Sequence, residues 1–259
     1  MVDSRDELAA NFGWSELAHK IRARTPARIL VGRAGASYRT ETQLQLRDDH
    51  SAAKDAVRAE FDVNAAFGLE FVERLKLFQI RTRASTKDEY LLHPSAGREF
   101  SEAARAEILK RCVRRPDFQI AIGDGLSVPA IRAQIPALLP ALMDGATARG
   151  WSVGQPFAIH YCRVGILNDI GEVLKPGVAV LLIGERPGLT TAESLSAYIA
   201  FAPRAGHSDA NRNLISNIHA RGLRAEDAAP RILSFCAQIM KAGVSGFTIT
   251  ENRALPNGD

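Results

Sequence analysis

Apolar and polar positions follow one rhythm over the first part of the chain and another from Asp117 onward. Early on the spacing is helical. Leu8, Phe12, Leu17 and Ile21 recur with charges between them, which predicts a helix over 4–24, packed on the body through Trp14 and ended by Pro26. Residues 28–31 read as extended and run into Gly32-Arg33-Ala34-Gly35, a turn or a small anion-binding loop beside Arg33 and Arg39. Thr40-x-x-Gln43 has the form of a capping box and opens a helix over 41–60. His50 in that helix has no second metal ligand one turn on, so it reads as a solvated group beside Asp48 and Asp49. Residues 77–83 and 89–92 predict two strands joined by a hairpin at 84–87, and 95–114 predicts one long helix before Pro116.

After Asp117 short apolar runs alternate with helical stretches. Strands are predicted at 118–122, 157–164, 178–184, 195–201, 214–219 and 246–250. Helices are predicted from 128 to about 149, over 166–173 and over 225–241, with Pro136 and Pro140 expected to kink or break the first. The run Val178-Ala-Val-Leu-Leu-Ile183 has no polar break, so it suits a strand covered on both faces. Gly184 ends it where another backbone or a ligand can come close, and Glu185-Arg186-Pro187-Gly188 follows as a turn. The alternation predicts an α/β fold: a mostly parallel, doubly wound (Rossmann-like) sheet with an N-terminal helical segment and hairpin. Residues 1–115 form the N-terminal segment, partly a subunit interface, and 116–259 the α/β domain, with a soft boundary between them. The tail over 256–259 is expected to fray.

Composition narrows the function classes. The 259 residues are 46% hydrophobic and 24% charged, ordinary for a globular protein. The net charge of +4 sits in residues 1–115, with 21 Lys/Arg against 17 Asp/Glu. No dense basic face with interleaved aromatics accompanies it, so no nucleic-acid partner is expected. Cys112, Cys162 and Cys236 are odd in number and far apart, which argues against a disulfide framework or a structural zinc and for a reducing cytoplasm. No membrane helix is expected.

Four polar clusters end predicted strands: Asp124-Gly125, Arg163-Val164-Gly165, Gly184-Glu185-Arg186 and Ser216-Asn217-Ile218-His219. In a parallel sheet the first three share one rim, where open α/β sheets bind ligands. The chain lacks a G-x-G-x-x-G fingerprint, a Walker loop, a G-x-S-x-G elbow and the D-x-H-x-x-G pattern of cobalt-ligating histidines. No nucleophile, base and orienting group can be read together, so no catalytic residue and no metal ligand is assigned. A binding rim without a catalytic set suggests a subunit that shares its site with a partner. An alternative is a stand-alone enzyme acting on a small phosphorylated molecule through Arg33, Arg39 and Arg186.

The strings over 28–40, Gly123–Ser127, Cys162–Glu172, Leu181–Leu189, Glu193–Tyr198 and Asn213–His219 stand in the order found in one family. Together they resemble the small subunit of ethanolamine ammonia-lyase, over residues 27 to 250. The resemblance implies an adenosylcobalamin-dependent lyase converting ethanolamine to acetaldehyde and ammonia. It also implies a large barrel subunit that binds ethanolamine, and an assembly of six large and six small subunits. Cobalamin contacts carried over from the family fall on Val164, Glu185 and Leu214, and Leu214 departs from the cysteine usual there. A cytoplasmic location is expected, with a bacterial microcompartment as the other setting the family uses.

Overall fold

A computed structural model describes residues 14–25, 29–188 and 191–252. The first half of the expected helix over 4–24, the side chain of Trp14, Pro26 and the tail over 256–259 lie outside the described residues. The chain opens with α1 (Trp14–Ala23), a two-strand antiparallel hairpin of β1 (Arg33–Ala34) and β2 (Ser37–Tyr38), and the long α2 (Thr40–Arg58). The G-x-x-G stretch spans β1, and only its last glycine, Gly35 at φ 62°, enters the hairpin turn with Ala36. The expected capping box does not form. Arg39 is the residue before α2, and no side chain caps it.

Two short helices, α3 (Val63–Phe67) and α4 (Leu69–Arg74), lead into β3 (Phe78–Arg81). The hairpin expected over 77–92 is replaced by a strand and a helix, α5 (Lys87–Leu92). The reason is local. The Thr86 hydroxyl accepts the Glu89 N–H at 3.1 Å, and Asp88 and Glu89 add negative charge to the first turn. The single helix expected over 95–114 is cut in two for a similar reason. A 3₁₀ turn at Ala96–Arg98 ends, Phe100 bridges to Thr82, and Ser101 caps α6 (Glu102–Arg111) through the Ala104 N–H.

The rest follows the predicted alternation: β4 (Phe118–Gly123), α7 (Val128–Thr147), β5 (Phe157–His160), α8 (Ile166–Leu174), β6 (Val178–Gly184), β7 (Leu195–Phe201), β8 (Asn213–Ile218) and α9 (Ala225–Ala242). The six-stranded sheet has the order β3-β5-β4-β6-β7-β8. The pairs β3–β5, β5–β4 and β4–β6 are parallel, and β7 is antiparallel to both its neighbours. The expected fold class holds. Pro136 and Pro140 do not break α7, because Pro136 faces solvent and Pro140 lies at the margin, where water can take up the carbonyls their rings leave unpaired. The last expected strand, 246–250, is absent. The Asn213 side chain accepts the Gly246 N–H and donates to the Gly246 and Ile249 carbonyls, so side-chain bonds stand where a ladder was expected.

All seven residues of β6 are buried, as the unbroken apolar run requires. Helices α7 and α9 close one face of the sheet over Ile120, Val180 and Ile199, while α6 and α8 close the other over Phe157, Leu181 and Ile183. Helices after β4 and β5 thus go to opposite faces, which makes the C-terminal ends of these neighbouring strands the switch point of the sheet.

Candidate functional site

The crevice at the switch point is filled by the chain itself. Asp124, at the end of β4, is fully buried and accepts the N–H groups of Tyr161 and Cys162, both at 2.8 Å. Tyr161 holds the left-handed conformation, φ 61°, at that turn. From α5 the Tyr90 hydroxyl reaches the Gly125 and Cys162 carbonyls, at 2.8 and 2.9 Å, so it ties the two strand exits together. Burial raises the Tyr90 phenol well above its ordinary pKa, so the hydroxyl keeps its proton for donation. Arg163 lies over the Tyr90 ring, 4.3 Å from its centre, and donates to the Tyr90 carbonyl.

The open part of the rim lies over the ends of β4 and β6 and the start of β7. A cavity of about 210 Å³ there is lined by Tyr90, Val164, Glu185, Arg186, Ser196 and Tyr198 among others. Gly184 serves a backbone contact at this point. A Cβ on it would lie 2.2 Å from the Ser127 carbonyl oxygen and 2.7 Å from that of Asp124. Gly125, at φ 56°, packs against the Gly184 carbonyl in the same way, and the Leu126 N–H bonds that oxygen at 3.1 Å. The glycines therefore let β6 pass under the β4–α7 loop and bring Glu185 to the rim.

Glu185 is half-buried and held by three donors. The Ser194 hydroxyl donates to Oε2 at 2.7 Å, and the Ser196 hydroxyl and the Asn217 N–H, the latter at 3.2 Å, donate to Oε1. A carboxylate has about four acceptor positions, so one on Oε2 remains. The register of β8 explains the third donor. Between the pairs Leu195–Ile218 and Ala197–Ile215 the β8 side carries one extra residue, a bulge, and Asn217 sits in it at φ 63°. The bulge also puts both Ile215 and Ile218 into the core under α9, although they are three residues apart. His219 is buried and closes this corner. Its Nδ1 accepts the Arg221 N–H, and its Nε2 donates to the Asn217 side-chain oxygen at 2.8 Å.

Val164 and Glu185 thus line one cavity. Leu214 does not line it, but it is half-exposed and pairs across the sheet with Tyr198, which does. The fourth polar cluster shares the rim with the other three, because β8, antiparallel to β7, runs parallel to β6. Of the alternative anion ligands only Arg186 lines this cavity. Arg33, over the Tyr38 ring, and Arg39 belong to the hairpin and the start of α2. Sequence reasoning missed Tyr90, Tyr198, Ser194 and Ser196. The alternating Leu195–Phe201 strand beside Glu185 was the signal that could have found the two serines.

The ethanolamine ammonia-lyase light chain (EutC) family model matches residues 15–250. The small subunit of ethanolamine ammonia-lyase from Fusobacterium nucleatum is 42% identical over 227 residues, covering 88% of this chain and 75% of the relative. That from Clostridioides difficile is 39% identical over 249 residues, covering 96% and 83%, and that from Clostridium acetobutylicum is 38% identical, covering 88% and 91%. Among the described residues no cluster of three or more His, Cys, Asp and Glu could hold a metal ion, and no helix is long and apolar enough to cross a membrane. By this similarity the chain belongs to the ethanolamine ammonia-lyase light chain family.

Proposed function

We propose that this chain completes an adenosylcobalamin site by closing its rim against a large partner subunit that binds ethanolamine and carries the lyase chemistry. The observation that supports it is the Glu185 carboxylate, fixed by three internal donors with one acceptor position left. A corrin is fringed by carboxamides, whose N–H groups need acceptors of this kind. Beside Glu185, Val164 supplies an apolar wall, and Leu214 extends it across the sheet face next to Tyr198. The residues present therefore suit the edge of a broad, amide-rimmed ligand.

The cofactor, when bound, supplies the cobalt–carbon bond chemistry, and this chain supplies position and exclusion of water. Glu185 orients an amide edge, Val164 and Leu214 pack against apolar parts of the ring system, and Tyr90 and Asp124 keep the rim in one shape. Leu214 takes the place of a polarisable thiol with a bulkier hydrocarbon, so its contact is one of packing alone. The assembly is six large and six small subunits, and its setting is cytoplasmic, with a microcompartment as the alternative.

Co-purification with a large subunit tests this reading. The complex, supplied with adenosylcobalamin and freed of excess, is expected to retain corrin absorbance, and the small chain alone to retain none. Equal corrin retention by the large subunit without this chain would overturn it.

A further inference from the structure

The string Ser216-Asn217-Ile218-His219 ends in a buried titratable group that the function proposed above leaves without a role. His219 is 4% exposed, and its ring turns back onto the β8 bulge. Nδ1 accepts the Arg221 N–H at 3.2 Å, so the proton of the neutral ring sits on Nε2, which donates to the Asn217 side-chain oxygen at 2.8 Å. One protonation state of the ring satisfies both bonds. The other tautomer and the imidazolium each put a proton on Nδ1, directly against the Arg221 N–H.

The link runs on to the rim. Asn217 holds φ 63°, a left-handed conformation that asparagine tolerates better than most residues. Its carbonyl accepts the Leu223 N–H at 2.9 Å, and its own N–H donates to Glu185 Oε1 at 3.2 Å. The returning loop closes tightly over the ring. A Cβ on Gly222 would lie 2.4 Å from the Asn217 carbonyl oxygen and 2.8 Å from His219 Nε2. Imidazole, Asn217 and Glu185 therefore form one chain of bonds, from a buried base to the carboxylate of the rim.

We propose that His219 is a positioning residue for Glu185, holding Asn217 in the bulge while neutral and releasing it on protonation. This rests on the function proposed above and makes the grip of the rim on the cofactor sensitive to protons. The surroundings of the ring set the direction. Burial first, and the Arg221 charge next, hold the imidazole below its ordinary pKa of 6.5, while Glu185 at the end of β6 and Glu193 before β7 act the other way. A group depressed on folding keeps its contribution above its unfolded value and loses it as pH falls through the folded one. The bulge is therefore intact above pH 6.5 and loosens on acidification below it.

The test uses the complex of this chain with its large subunit, as wild type and with His219→Gln or Asn217→Gly. Glutamine donates and accepts but does not titrate, and glycine keeps the left-handed backbone while removing the side chain through which His219 acts. Asn217 is exposed, so its variant decides the matter if the buried His219 variant misfolds. Adenosylcobalamin is titrated into each complex, and amide hydrogen exchange over 213–223 is followed without cofactor, corrected for the intrinsic effect of pH. Between about pH 7.5 and about pH 5 the wild type is expected to lose roughly threefold to tenfold in affinity, together with protection of that segment. Both variants are expected to show neither pH dependence. An acid loss of the same size in the variants would assign it to other groups and overturn the proposal, as would wild-type affinity or protection that ignores pH. Failure of the cofactor reading has a different signature: affinity would ignore Glu185→Ala at both pH values, while the exchange of 213–223 still decides whether His219 holds the bulge.

Discussion

Donors from three places in the chain meet at the Glu185 carboxylate: Ser194 before β7, Ser196 within it and the bulged Asn217 of β8. An exposed ion pair with Arg186 or Arg163, the ordinary reading of this turn, would contribute about 0–1 kcal/mol. Hydrogen bonds to a charged acceptor contribute about 1.5–3 kcal/mol, so the observed cradle fixes the side chain more firmly. Ser196→Ala is therefore expected to weaken adenosylcobalamin binding by roughly threefold to tenfold without dissociating the subunits, as read by cofactor titration of the complex. An unchanged titration would make Ser196 a β7 residue and nothing more. The cysteines give a pH expectation. Burial pushes the Cys112 thiol from 9.0 up to about 12 and raises those of Cys162 and Cys236 too. Unfolded thiols ionise first, so the stability linked to the buried neutral form of Cys112 is full below pH 9.0 and lost as pH rises through about 12. Iodoacetamide at pH 8 is expected to modify the folded chain slowly at all three positions and rapidly in denaturant, and mass spectrometry follows it. Fast labelling of the folded chain would contradict the burial argument.

The loop geometry at the ends of β4 and β6 is a packing constraint between elements. Gly184→Ala would set a methyl group 2.2 Å from the Ser127 carbonyl oxygen, on backbone that cannot move without shifting α7. It is expected to destabilise the chain by about 1–3 kcal/mol, read from the denaturant midpoint of the complex. An unchanged midpoint would mean that the loop adapts. How much of this was legible in the sequence differed by element. The strands β4, β6 and β7 and helices α8 and α9 were readable because apolar periodicity alone decides a buried strand or an amphipathic helix. Where one side chain decides, periodicity was silent. Thr86 turned a Tyr-Leu-Leu run into α5, and Ser101 divided a helical stretch. Asn213 took up the backbone of the segment expected as a last strand. The rim was legible as a set of strand ends, and Val164 and Glu185 do share a cavity. The internal ties that shape it, from Tyr90, Asp124 and the β8 bulge, depend on contacts between distant parts of the chain and left no local signal.

Across the molecule, order of packing rises from the N-terminus to the sheet. Helix α2 has nineteen residues yet buries only Thr42 and Ala56, and Leu17, Leu30 and Leu44 are about half-exposed. Beyond Phe61 the chain joins the core, and β3 is an edge strand of the main sheet. We propose that this poorly buried arm lies partly in a subunit interface, where Leu17, Leu30 and Leu44 would be covered. Light scattering of the co-expressed large and small chains is expected to give one particle with six of each. A free small-chain monomer beside an active large subunit would contradict that assembly. The central claim is that the rim held by Glu185 grips the cofactor, and one titration reaches it most directly. Adenosylcobalamin is titrated into the assembled complex carrying either wild-type chain or Glu185→Ala, with subunit association checked in the same samples. The loss of one charged hydrogen bond predicts binding weaker by roughly tenfold to a hundredfold, with Glu185→Gln in between. Equal affinity in an intact complex would return Glu185 to the role of a turn residue and contradict the account.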